Sequence, residues 1–592
     1  MIGKRKRQQD LFDVGYVFDV PLEPGSFHGQ LARAAPRLFR DEDFGACYHE
    51  HRGRPSVPPS QLALLTLLQH HAGASDAEAV ERTCFDARWA AVLGTQLGRP
   101  LCAKSTLQLF RSHLILHEQV LTIFQRSLQE AKDAGLLKGT PLRIVLDTKP
   151  ILGRGAVEDT YNLLATGIRQ LCKALARPRG QKPEDWARGH DLRRYFESSV
   201  KGSAAMDWSD PLARTTFLAE IVTDARRLLR LTEVRLPLLP PSAREPVREG
   251  ALLLEQLLLQ DVVERPPAAG QAGQAQAEIK EGTAKGRVPS VLDPEQRHGR
   301  KSKSKCFTGH KGSIAVEPES QLIVGATVLA GDAPDATDLL EQVEQVETNT
   351  GQAVVETVGD CAYGGGATRQ EFATAERTLW AKVPQESQHG SFFPKSRFLI
   401  DLEERRVTCP GGITSEKYTV EAAGGWLFHF GGACAGCALR TQCTEAKGGR
   451  QLRVHPQEAL LREARRFQQS EAGRQVLRER VVVEHGLARL AALGMGQARY
   501  AGRKKTGFQL LVAATIANLR RTWNWKGAQE AASGPGRGPE NRPPCPPEGG
   551  SPGSRCRGSL WDGLGERIHA WRHRLLPMGG ATRVARNSAC AA

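Results

Sequence analysis

Leu142-Arg143-Ile144-Val145-Leu146-Asp147 and Val354-Val355-Glu356-Thr357-Val358-Gly359-Asp360 are two short runs rich in branched apolar side chains, and each closes on an aspartate. Their length and composition predict buried strands. A third carboxylate, Glu484, lies in the apolar, arginine-rich stretch Arg478-Glu479-Arg480-Val481-Val482-Val483-Glu484, which reads as helix. Two carboxylates at neighbouring strand ends, joined by one from a helix packed over the sheet, can hold a pair of divalent metals roughly 3.5–4 Å apart. Hard oxygen ligands select Mg²⁺ or Mn²⁺. A single strand-end aspartate is more often a turn former than a ligand; the set of three in this order carries the expectation.

The surroundings extend the same sheet. Cys306-Phe307-Thr308-Gly309-His310-Lys311-Gly312-Ser313-Ile314-Ala315-Val316 and Leu322-Ile323-Val324-Gly325-Ala326-Thr327-Val328-Leu329 predict a hairpin across 317–321. Asp335 is placed to cap a helix with Leu339, Leu340, Val343 and Val346 on one face. The order strand, insertion, strand, strand, helix, strand suits a mixed sheet with flanking helices, an α/β fold. The insertion, about 150–290, is helix-prone, with apolar stripes at Leu163, Leu164, Ile168, Leu171 and 252–259; its stretch 267–285, rich in Ala, Gly and Gln, reads as a flexible linker.

Upstream, residues 1–135 read as an all-α domain. Pro58, Pro59 and Ser60 start one helix, Gly73 ends it, Ser75 and Asp76 cap a second, and Ser105 caps a third. Short helices with tight turns fit a helix-turn-helix-like DNA reader and a plain bundle equally well. Residues 140–526 then form the domain that carries the carboxylates, and 527–592, rich in Gly, Pro, Ser and Arg, read as a disordered tail.

Composition narrows the partners. Lys plus Arg number 81 against 65 Asp plus Glu, a formal +16 over 592 residues. That excess favours a polyanion such as DNA, although a genome favouring Arg codons yields the same bias. No run of about 18 apolar residues predicts a membrane span, and the basic N-terminus lacks the apolar segment of a secretory signal. Thirteen scattered cysteines in so long a chain fit a reducing cytoplasm rather than a disulfide scaffold.

Several residues fit a phosphate-binding groove beside the carboxylates. Tyr363 follows Asp360 within a turn that continues Gly364-Gly365-Gly366, where backbone can approach a ligand and the ring can stack on a base; a packed tyrosine is as common. Arg480 and Glu484 share a helix face, and Arg489 follows; a plain ion pair is the alternative. Within an insertion at about 385–460, Cys409, Cys434, Cys437 and Cys443 can complete a tetrahedral Zn²⁺ set, though the spacing to Cys443 departs from paired CxxC motifs and reduced thiols in a small insertion are the alternative.

The segments from Asp147-Thr148-Lys149-Pro150 to Tyr161-Asn162-Leu163-Leu164, Asp293-Pro294-Glu295-Gln296-Arg297-His298-Gly299-Arg300-Lys301-Ser302-Lys303-Ser304-Lys305, Asp360-x2-Tyr363-Gly364 and Ala381-Lys382-Val383-Pro384 resemble those of bacterial insertion-sequence transposases of the DDE class. Tyr500-x-Gly502-Arg503-Lys504-Lys505-Thr506-x-Phe508-Gln509 with Ala517-Asn518-Leu519 is similar to the family's C-terminal segment. The likeness spans about residues 10–525 and includes the N-terminal helical domain of one large branch. It implies an RNase-H-like catalytic fold, a divalent-metal triad at Asp147, Asp360 and Glu484, and DNA transposition. The implied partners are terminal inverted repeats and target DNA, the implied assembly a homodimer on DNA, and the implied location the bacterial cytoplasm, at the nucleoid. A related branch carries Tyr-x2-Arg-x3-Glu-x6-Lys around its glutamate. Arg480 and Glu484 fit it, but Leu477 and Ala491 stand at the Tyr and Lys positions. Arg489 or the Arg503-Lys504-Lys505 cluster is then left to supply the charge, and Glu479 is a rival third carboxylate. A nuclease on the same fold and an inactive DNA-binding relic are the competing functions.

Overall fold

The computed structural model describes residues 1–5, 22–49, 53–139, 141–265, 276–302, 304–383 and 392–533. One unit spans Met1–Gln529; of a second, Glu530–Ala592, only the first four residues are described.

The principal sheet is mixed. Its strands are β1 (Leu142–Leu152), β4 (Arg297–Arg300), β5 (Cys306–Val316), β6 (Ile323–Ala330), β7 (Val354–Gly359) and β8 (Thr378–Ala381), while β2 (Val262–Arg265) and β3 (Gln276–Ile279) form a separate hairpin. The order is β4-β5-β1-β7-β8, and β6 also pairs with β5. β5 runs antiparallel to β1, β4 and β6, whereas β1, β7 and β8 are parallel. The β5–β6 hairpin forms as its pattern predicts.

Asp147 does not end its strand. β1 continues five residues further, through Pro150, which pairs with Lys311 on β5. The reason is geometric. β7 stops at Gly359, level with Leu146 in the parallel register, so the far side of β1 beyond Asp147 has no strand asking for an N–H that proline lacks. There Leu152 instead bridges to Gln497.

Among the described residues, six α-helices precede the sheet: α1 (Phe27–Leu38), α2 (Pro59–Ala72), α3 (Asp76–Phe85), α4 (Ala87–Leu93), α5 (Lys104–Leu116) and α6 (Val120–Asp133). Pro59 opens α2, and Gly73, in the left-handed region at φ 66°, closes it. Every residue of 59–70 is buried, so α2 is the hub of a bundle and cannot enter a DNA groove. Ser75, in a capping box with Glu78, caps α3; Asp76 instead binds Arg111. α5 starts at Lys104 with Ala103 as its uncapped N-cap, so Ser105 lies inside the helix. These helices share one apolar core with the sheet and the last helix, in which Phe124, Leu128, Ile144, Val346 and Leu519 all take part.

The insertion has a core of its own. α7 (Thr160–Ala176), α8 (Pro211–Arg235) and α9 (Pro241–Asp261) bury Leu163, Leu164, Ile168, Leu171, Leu254, Leu257 and Leu258 together. Leu252 and Leu259 face outward. The expected linker is ordered where it is described: 276–279 is β3, paired with β2, and 266–275 lie outside the described residues.

α10 (Leu339–Thr350) carries the expected apolar face, but its N-cap is Asp338; Asp335 instead pairs with Lys311. α11 (Gly366–Thr374) follows β7. The cysteine-bearing insertion folds as two small three-stranded sheets, β9 (Leu399–Asp401), β10 (Arg406–Thr408) and β11 (Thr414–Ser415), then β12 (Tyr418–Val420), β13 (Trp426–His429) and β14 (Gln451–Val454), around Val407, Phe428 and Val454. α12 (Glu458–Gln469), α13 (Glu471–Arg478), α14 (Val481–Ala492) and α15 (Arg503–Ser533) complete the chain. α15 runs past Gly527, where disorder was expected. Ala528-Gln529-Glu530-Ala531-Ala532 is strong helix-forming sequence, and the first Gly-Pro pair comes only at Gly534-Pro535. Residues 534–592 of the expected tail lie outside the described residues. No described helix is long and apolar enough to cross a membrane.

Candidate active site

The parallel pairing of β1 with β7 sets Val145 opposite Val358, which brings Asp147 alongside Asp360 just past the end of β7. Asp360 accepts from the Ala362 N–H at 2.8 Å and so caps the tight turn Cys361–Tyr363. The Asp147 side chain is 15% exposed; one oxygen accepts from the Thr148 N–H at 2.7 Å. The other lies 3.2 Å from Arg480 Nη1, and that same nitrogen is 3.9 Å from Glu484 Oε1. Glu484 therefore reaches the site from the first turn of α14. That helix approaches the sheet closely at Gly486, where a Cβ would lie 3.0 Å from Val316 and 3.1 Å from Ile314.

Burial, reinforced by the nearby Asp360 and Glu484 carboxylates, pushes the Asp147 carboxyl up to about 6, against the opposing pull of the Thr148 N–H and Arg480. Glu479 sits elsewhere. Arg143 Nη1 donates to both of its oxygens at 2.9 and 3.0 Å, and Arg143 also pairs with Glu356, four residues before Asp360. Of the two glutamates, Glu484 is the one beside Asp147.

Among the described residues, no group of three or more His, Cys, Asp or Glu side chains is drawn together as a metal cage. The cation between Asp147 and Glu484 is the Arg480 guanidinium. A place where carboxylates crowd, where one is driven up, and where a side-chain cation settles between two of them favours positive charge. Its hard oxygen donors are of the kind Mg²⁺ or Mn²⁺ takes.

The remaining residues sort differently. Tyr363 is 1% exposed and packs on Gly359, so its ring has no face for a base. Two glycines of its turn serve internal close approach: a Cβ on Gly364 would strike the Lys382 carbonyl oxygen at 2.0 Å, and one on Gly366 the His455 ring at 2.3 Å. Arg489 turns its guanidinium to the Gln321 carbonyl, and burial lowers it to about 10. Lys504 and Lys505 are exposed at the start of α15, whereas Arg503 pairs with Glu295. A feature missed from sequence lies beneath this cluster. Asp293, fully buried, accepts from the Gly502 N–H at 3.1 Å and meets His310 at 3.1 Å, while Glu295 accepts from the Arg503 N–H at 2.7 Å. Both acids lie in the motif quoted above, but only the fold shows that they fasten the helix that presents the lysines.

Cys409, Cys434, Cys437 and Cys443 line one small apolar cavity with Phe393, Phe430 and Leu439. A Cβ on Gly411 would lie 3.4 Å from Cys437 Sγ and 3.7 Å from Cys409 Sγ, and burial, with the other three thiols adding, raises the Cys443 thiol. The four converge, yet as placed they do not form a ligating group. Every described cysteine is free of disulfides.

Fold and site together define a mixed α/β protein with an acidic centre beside the ends of its parallel strands. The chain matches the family model described as Transposase DDE domain over residues 408–523, and the one described as Transposase domain (DUF772) over 19–113. Both are transposase families, and the two matches together support an insertion-sequence transposase of the DDE class and a DNA transposase function. The first match includes Glu484 and the four cysteines; neither reaches Asp147 or Asp360. No curated protein and no solved structure matches the chain.

Proposed function

We propose that this transposase binds the terminal inverted repeats of its element, cleaves the DNA ends, and joins the freed 3′-hydroxyl to target DNA by metal-dependent phosphoryl transfer. The observation that carries the reading is the juxtaposition of Asp147, Asp360 and Glu484, with Arg480 between the first and the last. The strand order, with an antiparallel β5 and parallel β1, β7 and β8, supports an RNase-H-like catalytic core. The three carboxylates would hold Mg²⁺ or Mn²⁺, which supplies activation of the attacking oxygen and stabilisation of the leaving one. Asp147 must shed its proton, held to about pH 6, before it can ligate a cation. Arg480, released from the carboxylates, is placed to neutralise phosphate. Pairing two ends calls for two protomers, and DNA as the substrate makes the bacterial nucleoid, in the cytoplasm, the expected place of action.

The test separates the two glutamates. Glu484→Gln is expected to lower cleavage and joining roughly a thousandfold, while Glu479→Gln leaves both within a few-fold of wild type. The reverse ranking moves the third ligand to Glu479. A nuclease would cut but leave pre-cleaved ends unjoined in a strand-transfer assay.

The shared cavity and spacing of Cys409, Cys434, Cys437 and Cys443 support a structural Zn²⁺ once the thiols ionise and close on it. Elemental analysis of purified protein is expected to return one zinc per chain, lost in Cys434→Ser. A metal-free, fully folded wild type rejects the zinc.

A further inference from the structure

A basic groove opens between the cysteine-bearing insertion and α12. It encloses about 630 Å³, and its described lining includes Lys395, Arg406, Arg462, Arg465 and Arg466 with two acids, Asp401 and Glu458. Glu458 is 2% exposed and works inside the protein, with Lys395 at 2.5 Å, Arg465 at 3.3 Å and Arg462 at 3.9 Å. Glu458 is thus shared among three cations, and Asp401 pairs with Arg406 at 3.2 Å. Arg466, exposed one turn beyond Arg462, has no acidic partner among the described residues. Like charges held this close repel one another. They persist at lower cost where a polyanion completes the site.

The groove is fixed to the catalytic sheet. Phe467 of α12 stacks on Trp380 of β8 with ring centroids 3.7 Å apart, and Gln468 accepts from the Val383 N–H at 3.0 Å just past the end of that strand. β8 pairs with β7 in parallel, Ala381 opposite Gly359, so α12 is anchored one strand away from Asp360 at the same end of the sheet.

We infer that this groove grips the phosphate backbone of duplex DNA alongside the acidic centre. The inference rests on the reading of DNA as substrate but not on any chemistry at the carboxylates. Its test is therefore binding without divalent metal: the full chain, a duplex of arbitrary sequence, and a potassium chloride series. Arg462→Ala/Arg466→Ala is expected to bind roughly tenfold more weakly for every sequence, with the slope of log K against log salt reduced by about two. Arg466→Ala, which disturbs no ion pair, should lose about one, and Arg466→Lys should restore it. Wild-type affinity and slope in both alanine variants, or weaker binding with an unchanged slope, would overturn the groove. A chain that binds with these slopes yet never joins ends keeps the groove and loses the transposition chemistry; the opposite outcome does the reverse.

Discussion

Asp147→Asn is expected to abolish strand joining and, at pH 7 without metal, to make the folded protein more stable than wild type. The first effect follows from the ligand role proposed for Asp147. The second follows from the sign of the proton linkage. The Asp147 carboxyl stands at about 6 in the fold against 3.8 as its ordinary value, so the folded protein binds the proton more tightly than the unfolded chain does. The stability from this group is fully present below about pH 4 and is lost as pH rises through about 6. At pH 7 the buried charge costs on the order of 3 kcal/mol. Asparagine has no charge to bury, and its amide oxygen can still accept the Thr148 N–H. Urea melts from pH 4 to 8 would show the wild-type advantage shrinking across that window, with the variant the more stable at neutrality. Added Mg²⁺ should narrow the gap by stabilising only wild type. A variant less stable than wild type at pH 7 would show that Arg480 and the Thr148 N–H already outweigh the burial of the charge.

Asn518→Ala is expected to cost about 3 kcal/mol, the largest loss anticipated for any single amide truncation in the shared core. Asn518 is fully buried on α15; its carboxamide accepts from the Ile323 N–H at 2.9 Å and donates to the Ile323 carbonyl at 2.8 Å. It thus acts as a neighbouring strand for the first residue of β6. Alanine leaves a buried N–H and a buried C=O with nothing in reach, at about 1–3 kcal/mol each less what relaxation recovers. Thermal or denaturant melts measure the loss directly, and a change under 1 kcal/mol would mean that water reaches Ile323. Gln at 518 would not rescue, because its amide stands one methylene too far from the helix.

The strands were legible because branched runs such as 142–146 and 354–358 leave little choice, and the acidic pair because parallel neighbours put consecutive C-terminal segments side by side. What escaped depended on partners distant in sequence. Asp147 looked terminal because the branched apolar run stops there, yet β1 runs on through Pro150, which is tolerated because β7 has already ended. Asp335, the expected cap, is captured by Lys311, and Asp338 takes the N-cap position. Tyr363 looked like a stacking platform because its glycine-rich turn suggested an exposed ligand loop, whereas Lys382 and His455 occupy the space that those glycines leave. For the third carboxylate, the sequence put Glu484 first with Glu479 as its rival, and in the fold Arg143 holds Glu479 while Glu484 lies beside Arg480. The basic groove was invisible because Lys395 and Arg462 are brought together by a small sheet with no strong sequence signature.

The helices at 27–133 are joined to the rest by more than chain connectivity. Phe27 meets Trp523 with ring centroids 6.1 Å apart, Trp523 donates to Glu130, and Gln125 meets Asn349. Amputating this region would strip the flank of the final helix and leave an insoluble remnant rather than a minimal enzyme. These helices cannot be exchanged between relatives as a detachable front-end cassette; they must drift together with the core they are welded to.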